Sequence, residues 1–257
     1  MDTETVKCRI ADYVAVVTMD RPPVNAQNAQ MHSDLALIFD TISDRDDVRV
    51  AILTGAGKCF SAGADIKDRA GKERAPGEAW QHNRRVREAF HAIVECEKPV
   101  IAAINGPALG AGLAVAGSCD ILLAAEDAAI GLPEINVGLM GGGRHAMRLF
   151  GHSRTRRMLF TGLRMDGREL YRLGVVEACV PAAKLMDAAM EMAREIASKS
   201  PVAMRLAKHS LNTIEGMSLR DGYRFEQNMT MELGKTEDSK EAMRAFVEKR
   251  APVFKDR

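Results

Sequence analysis

The sequence predicts an α/β fold that is followed by a helical region. Short β-branched runs alternate with amphipathic helical patterns as far as Pro181, and only helical patterns follow that residue. Such alternation is typical of a layered α/β architecture. The chain has 257 residues, of which 46% are hydrophobic, so it can bury a large core without a stabilising metal or disulfide.

The predicted elements follow one another in a regular order. Four strands are expected, at Val14 to Met19, Val50 to Thr54, Val100 to Ile104 and Ile121 to Ala125. Helices are expected between them, at Met31 to Asp44, Ala79 to Glu97 and Gly112 to Cys119. Further helices are expected at Ala182 to Ser198, Pro201 to Thr213, Ser218 to Leu233 and Ser239 to Lys249. The apolar faces of this last group favour association of subunits.

Charge and cysteine usage exclude several classes of function. Lys and Arg number 36 against 35 for Asp and Glu, and the resulting charge of +1 gives no basic surface for nucleic acid. The five cysteines are widely spaced without a CxxC pair, which argues against a disulfide framework and against a metal site. The sequence shows neither a signal-peptide pattern nor an apolar run of membrane-spanning length. We therefore expect a cytoplasmic protein without a membrane partner.

Two glycine-rich loops are the candidate ligand site. Residues Ser61 to Ile66 come after the strand pattern of Val50 to Leu53, and Asn105 to Gly112 come after that of Pro99 to Ile104. A strand followed by a glycine turn and a helix start is an arrangement that receives anions. The stretch from Lys67 to Gly77 mixes charge with Gly and Pro, and it is a candidate lid over this site.

Each loop also has a simpler interpretation. Gly57 and Lys58 suggest a nucleotide-binding P-loop, but Ile52 stands where its first glycine belongs and Cys59 replaces its Ser or Thr. An isolated glycine loop is more often a tight turn. The second loop favours a ligand, because Gly110-Ala111-Gly112 leads into a small-residue helix. Two amides from two such turns could hold one carbonyl oxygen as it becomes an oxyanion, and a thioester carbonyl suits that position.

These loops, together with several segments spread over the chain, resemble the enoyl-CoA hydratase/isomerase (crotonase) family. The resemblance includes Arg21 to Ala26, Ile130 to Gly138 and the tail from Phe246 to Phe254. It also includes Thr161-Gly162, Gly174 to Val176, Pro201 and Lys208. It implies a ββα spiral core over residues 1–195 and a helical oligomerisation region over 196–257. A homotrimer or homohexamer is implied as the assembly.

The resemblance also implies a set of site residues. The backbone N–H groups of Ala64 and Ala111 would form the oxyanion hole. Coenzyme A would enter as part of an acyl-CoA substrate, with no tightly bound cofactor and no metal. Its contacts would come from Ser61, Ala62, Asp65, Ile66 and Gly110, and from Phe246 and Lys249 across a subunit boundary.

Glu134 matches the family's second acid and is the carboxylate expected to move protons. Without the resemblance, a solvated carboxylate after Pro133 would be the simpler interpretation. The first acid of the two-acid hydratases is replaced by Ala114. A hydratase with a single Glu is therefore the first expectation. The alternatives are a Δ3,Δ2-enoyl-CoA isomerase, a hydroxycinnamoyl-CoA hydratase-lyase and a catalytically silent acyl-CoA-binding paralogue, and an RNA-binding member is disfavoured by the charge.

Arg144 and His145 stand where relatives usually carry small residues. The simpler interpretation is that both begin a helix and point to solvent. The sharper hypothesis makes His145 a second proton-handling group, since the pKa of a free imidazole is about 6.5. The other histidines, His32, His82, His91, His152 and His209, are expected to be solvated or structural.

Overall fold

A computed structural model of the protein describes residues 1–66 and 75–256. The strands are β1 Val6–Ala11, β2 Val14–Met19, β3 Val50–Gly55, β4 Val100–Ile104, β5 Ala108–Leu109, β6 Ile121–Ala125, β7 Ala129–Gly131, β8 Arg164–Asp166 and β9 Ala178–Val180. The helices are α1 Ala29–Ser43, α2 Glu78–Glu95, α3 Ala111–Ala116, α4 Gly143–Leu149, α5 His152–Thr161, α6 Gly167–Arg172, α7 Leu185–Ala197, α8 Pro201–Ile214, α9 Leu219–Lys235 and α10 Glu237–Glu248. Short 3-10 helices cover Pro133–Val137 and Ala182–Lys184. Residues 67–74 of the expected lid lie outside the described residues.

The main sheet of the described chain has the strand order β1-β2-β3-β4-β6-β9. Only the β1 and β2 pair is antiparallel, and the pairs from β2 to β9 are parallel. Every residue of β3 and β4 is buried. Parallel strands that are covered on both faces consist of continuous apolar runs, which is why the sequence predicts these two so clearly.

A second, smaller sheet lies beside the glycine loops. It has the order β5-β7-β8, with β5 parallel and β8 antiparallel to β7. An isolated bridge between Ser61 and Ala108 connects the first glycine loop to β5. The small sheet therefore links the loop after β3 to the loop after β4 and to the segment after β7.

The predicted α/β class, followed by a helical region, is confirmed. The eleven predicted elements are present, with ends that shift by a few residues, such as α1 at Ala29–Ser43. The sequence patterns did not predict β1, the short strands β5, β7, β8 and β9, or helices α5 and α6, whereas α4 begins at Arg144 and His145 as the simpler interpretation expects. Most of these elements span two to seven residues, which is too short for a periodic pattern to appear. No helix of residues 1–66 and 75–256 is long and apolar enough to span a bilayer.

The helix α8 is joined to the sheet through a buried lysine. Lys208 is 6% exposed, and its Nζ lies 2.8 Å from a carboxylate oxygen of Asp120, the residue just before β6. The same ammonium donates to the carbonyl oxygens of Lys98 at 3.1 Å and of Ile93 at 3.3 Å. One side chain thus connects α8 to α2, β4 and β6.

Lys208→Met should lower the free energy of unfolding by about 2 to 3 kcal/mol, because it leaves the carboxylate and two carbonyls of this buried site without their donor. Urea unfolding followed by far-UV circular dichroism measures the change. The matched control is Lys199→Met, since Lys199 lies 3.8 Å from Glu195 in an exposed pair and should contribute below about 0.5 kcal/mol. Equal stability of the two variants would contradict the connecting role of Lys208.

Candidate active site

The two glycine loops are held together by backbone hydrogen bonds at Ser61. Its N–H donates to the Pro107 carbonyl at 3.0 Å, and its carbonyl accepts from the Leu109 N–H at 3.0 Å. The Ser61 hydroxyl donates to the Asn25 carbonyl at 2.8 Å and accepts from Gln27 Nε2 at 3.1 Å. Because both loops are paired through the main chain, their relative position depends little on exposed side chains.

Gly63 allows the loops to come into contact. Its φ is +95°, and a Cβ at this position would lie 2.6 Å from the Leu109 carbonyl oxygen and 3.3 Å from the Ala111 nitrogen. Any larger residue would push the loops apart. The backbone at Ala64 therefore lies beside the backbone at Ala111.

Among residues 1–66 and 75–256, the backbone N–H groups of Ala64 and Ala111 have no hydrogen-bond acceptor. Gln27 pairs with the neighbours of Ala64: its N–H donates to the Gly63 carbonyl at 2.8 Å, and its carbonyl accepts from the Asp65 N–H at 2.9 Å. This pairing turns the Ala64 N–H away from Gln27. Ala111 is the first residue of α3, where an N–H has no acceptor within the helix. Both residues line one cavity of about 400 Å³, so two free donors meet the same space.

Glu134 enters this cavity from the 3-10 helix after β7. It is half-buried, and its carboxylate occupies the space that a side chain at Gly110 would fill, since a Cβ there would overlap Oε1 and lie 2.7 Å from Cδ. Among the described residues, nothing hydrogen-bonds to Oε2. Burial raises the pKa of Glu134, and the backbone N–H of Glu134 offsets this only in part. A carboxylate of this kind holds a proton more readily than one in water.

Ala114 occupies the position of the missing acid. It lies one turn into α3, its N–H donates to the Gly110 carbonyl at 3.1 Å, and its methyl group lines the cavity. Of the described residues around the cavity, Glu134 is the only carboxylic acid. The site therefore offers two amides and one carboxylate.

His145 and Arg144 face different environments. Arg144 is exposed and lies 3.3 Å from a Glu215 oxygen, as the simpler interpretation expects. His145 lines the cavity, and its ring lies at right angles to Phe90 with 5.2 Å between centroids, so the solvent-facing interpretation is wrong for this residue. Burial, and then the nearby Arg148, lower the pKa of His145 from 6.5 to about 4. The imidazole is therefore neutral near pH 7.

Three further histidines line the same cavity, which the sequence analysis did not anticipate. His32 is buried on α1, with its Nε2 at 3.2 Å from Gln27 Oε1. His82 and His91 belong to one face of α2, which also presents Asn83, Val86, Arg87 and Phe90 to the cavity. The spacing of these residues follows the helical repeat, and that signal was available in the sequence. His32, buried and paired with Gln27, is structural and His91 is exposed, as expected, yet both line the cavity together with His82.

The comparisons with known proteins agree with this geometry. A family model described as enoyl-CoA hydratase/isomerase matches residues 9–257. The chain belongs to this family. It is 38% identical over 238 residues to a (7aS)-7a-methyl-1,5-dioxo-2,3,5,6,7,7a-hexahydro-1H-indene-carboxyl-CoA hydrolase of Mycobacterium tuberculosis, covering 92% of this chain and 95% of that protein. It is 38% identical to the short-chain-enoyl-CoA hydratase of Clostridium acetobutylicum, covering 92% of each. The crystal structure of an enoyl-CoA hydratase from Bacillus anthracis has a TM-score of 0.93 and 33% identity, and the match covers 99% of this chain and 100% of that one.

The coenzyme A contacts that the family implies are distributed unevenly. Ala62 and Ile66 are exposed on the first loop, and Asp65 is half-buried in an ion pair with Arg21 at 2.8 Å. Ser61 requires a correction, because it is fully buried and its hydroxyl is held by protein partners, so its side chain orders the loop and cannot contact a ligand. The Gly110 N–H donates to the Gly131 carbonyl at 2.9 Å, so it is not available to coenzyme A. The lack of a side chain at Gly110 provides the space for the Glu134 carboxylate.

Phe246 and Lys249 lie at the end of α10 and do not line the cavity of the same chain. Phe246 is 86% exposed. Their contact with coenzyme A therefore requires a second subunit, and it stays a prediction.

Gly110→Ala should lower the turnover of CoA thioesters by this family member about 100-fold or more, because the new methyl group displaces the Glu134 carboxylate and disturbs the adjacent Ala111 amide. Steady-state kinetics measure the loss. The control is Gly234→Ala, where a Cβ meets nothing within 4 Å on helix α9. Unchanged activity in Gly110→Ala would show that the carboxylate position is unimportant.

His145 should remain neutral down to about pH 5. Its pKa is about 4, so its imidazole C–H resonances in proton NMR should begin to move only below about pH 5. Since the pKa of His145 is depressed in the folded state, its contribution to stability is present above the unfolded pKa and is lost as pH falls towards 4. A His145 titration near pH 6.5 would contradict this burial. His145→Gln identifies the resonance.

Proposed function

We propose that the protein adds water across the double bond of an enoyl-CoA thioester, with Glu134 as its single acid-base group. The proposal is carried by one observation on the described part of the chain: a half-buried carboxylate with an unpartnered oxygen shares a cavity with two backbone N–H groups that have no acceptor there. Membership of a family of enzymes that act on CoA thioesters supports the choice of substrate. Coenzyme A enters as part of that substrate, without a separate cofactor.

The proposed reaction begins with the thioester carbonyl oxygen between the N–H groups of Ala64 and Ala111. Glu134 takes a proton from water, the water oxygen bonds to the β carbon, and the electron pair of the double bond moves to the thioester oxygen. The two N–H groups stabilise the resulting enolate. Protonated Glu134 then returns the proton to the α carbon, so one water molecule is added and the carboxylate is restored. The raised pKa of Glu134 makes the carboxylate a stronger base for the first step, the removal of a proton from water.

His145 has a limited part in this scheme. Because the pKa of His145 is about 4, its imidazole is neutral at pH 7 and carries a single ring N–H. A neutral imidazole can still accept or donate a hydrogen bond to the attacking water. We propose that it orients water, while Glu134 alone exchanges protons with the substrate.

A second reaction is favoured by Ala114. Migration of a double bond from the 3 to the 2 position needs one base that removes a proton from C2 and returns it to C4, with the same enolate between. This chemistry requires no second acid and no water. A site with one carboxylate facing a methyl group suits it as well as hydration.

Two relatives named as hydrolases of a bicyclic dione on coenzyme A, from Mycobacterium tuberculosis and Rhodococcus jostii, are 38% and 34% identical to this chain. Hydrolysis of such a compound, cleavage of a hydroxycinnamoyl thioester and binding without turnover are therefore the outcomes to examine if hydration and isomerisation both fail.

The exposed apolar residues Leu219, Tyr223, Met243, Phe246 and Val247 of α9 and α10 support assembly into a trimer or hexamer.

The test is to supply crotonyl-CoA and, separately, trans-3-hexenoyl-CoA in heavy water, and to follow thioester absorbance and product mass. Glu134→Gln should lower turnover by about 10²- to 10⁴-fold. The control is Glu88→Gln, an exposed glutamate on α2. With wild type, kcat/KM should fall as pH decreases through the raised pKa of Glu134, because only the ionised form takes a proton.

Water addition to crotonyl-CoA establishes the hydratase, and migration without addition establishes the isomerase. A Glu134→Gln variant that retains full turnover would overturn both. Binding without turnover of either thioester would leave the hydrolase, the hydroxycinnamoyl-CoA hydratase-lyase and the silent paralogue.

A further inference from the structure

The first glycine loop is supported along its length by residues 21–27, which follow β2. In this 21–27 segment, the Val24 carbonyl accepts from the Ala62 N–H at 2.9 Å. Gln27 forms a parallel bridge with Ala64, through hydrogen bonds to the two neighbours of Ala64. The orientation of the Ala64 N–H therefore depends on the position of the 21–27 segment.

The middle of the 21–27 segment is fixed by a buried asparagine. Asn25 is 1% exposed, and its Nδ2 donates to the Cys59 carbonyl at 2.7 Å and to the Ala56 carbonyl at 3.0 Å. Its Oδ1 accepts from the Arg21 N–H at 3.0 Å, and its own N–H donates to the Arg21 carbonyl at 2.9 Å. The backbone of Arg21 is thereby held in a closed turn.

The guanidinium group of Arg21 connects this turn to the glycine loop. Its Nη1 donates to the Ala26 carbonyl at 2.8 Å, and its Nη2 donates to a carboxylate oxygen of Asp65 at 2.8 Å. The two side chains of the ion pair are 30% and 15% exposed, so water screens it only in part. Ala26 precedes Gln27 and Asp65 follows Ala64, so one planar group joins the residues that flank the bridge.

The ion pair lies where the loop changes from a packed to an exposed backbone. At one end, a Cβ on Gly63 would lie 2.6 Å from the Leu109 carbonyl oxygen, so the second loop confines this residue. At the other end, Ile66 is 44% exposed. A contact at Asp65 limits movement that would otherwise reach the Ala64 N–H. Small displacements matter there, because an oxyanion donor acts at about 2.7 to 3.1 Å from the oxygen.

We propose that Arg21 is a positioning residue of the oxyanion hole, which keeps the Ala64 N–H directed into the cavity by holding Asp65 on the 21–27 segment. Arg21 is not among the described residues that line the cavity, so it acts through its neighbours and not on the acyl group. Its positive charge also offsets part of the negative charge of Asp65, one residue from the N–H that stabilises the enolate oxygen. The inference deepens the proposed function and rests on it for the role of Ala64.

The test uses a thioester whose spectrum reports on the oxyanion hole without turnover. The absorption of 4-(dimethylamino)cinnamoyl-CoA moves to longer wavelength when hydrogen bonds polarise its carbonyl group, and the wavelength of the bound molecule is independent of the fraction of protein that is folded. Wild type should cause this red shift. Arg21→Gln should reduce the shift by about half, since one of the two donors is displaced. Arg21→Lys keeps the charge without the planar pair of donors, and its shift should lie between the two.

Steady-state kinetics give a second measurement, with the enoyl thioester that wild type converts. In Arg21→Gln, kcat should fall about tenfold and KM should change less than about twofold, because the displaced N–H acts more strongly on the enolate than on the substrate. Asp65→Ala should cause a similar loss. The double variant should lose no more than the worse single variant, since both changes remove one link. Losses that multiply, to about 100-fold, would overturn the inference.

Arg45→Gln is the matched control, because Arg45 forms an exposed ion pair with Asp47 through two hydrogen bonds and does not line the cavity. Its red shift and turnover should equal those of wild type. A full red shift in Arg21→Gln would overturn the inference and leave the proposed function intact. A red shift that depends on Arg21, without turnover of either enoyl thioester, would overturn the proposed function alone. No red shift in wild type would overturn both.

Discussion

The backbone pairing of Ser61 with Pro107 and Leu109 is the contact on which the site depends. It joins the loop after β3 to the loop after β4, two neighbouring parallel strands, and the Ser61 hydroxyl adds the segment after β2 through Asn25. Loops at the carboxyl ends of adjacent parallel strands converge in this way by topology. Because these hydrogen bonds join main-chain groups, the fold itself positions the backbone N–H groups of Ala64 and Ala111. The methyl side chains of the two alanines contribute little to that position.

The position of the proposed base, Glu134, also depends on backbone contacts. Gly110 belongs to the second loop, and its missing side chain is the space that the Glu134 carboxylate occupies. The N–H of Gly110 is held by the Gly131 carbonyl of β7, just before the turn that carries Glu134. The amides and the carboxylate are therefore fixed to one another by hydrogen bonds within the small sheet. With Ala114 in place of a second acid, the raised pKa of Glu134 comes from burial and not from repulsion between two carboxylates.

The sequence predicted the parts of the molecule whose signals are local. Buried strands such as β4 are uninterrupted apolar runs, and the loops are marked by glycines, so both could be found without a structure. Burial of single polar residues could not be found in this way. Ser61 lies in a loop whose composition is typical of a ligand site, yet its side chain is buried. His32 lies in a helix with a polar face and still lines the cavity. Exposed residues of α2 such as His91 also line the cavity, because a cavity edge and bulk water favour the same polar residues.

His145 illustrates how the C-terminal helices contribute to the cavity within one chain. Helix α4 has seven residues, too few to be stable alone, and Arg148 holds it by donating to the Gly117 carbonyl at 2.8 Å and pairing with Glu215 at 3.0 Å. Glu215 ends α8, whose Lys208 is bound to the sheet. The position of α8 thus determines where α4 places the imidazole, and Arg148 is also the cation that helps to keep it neutral. The helical region therefore shapes the cavity within one chain, even before a second subunit is considered.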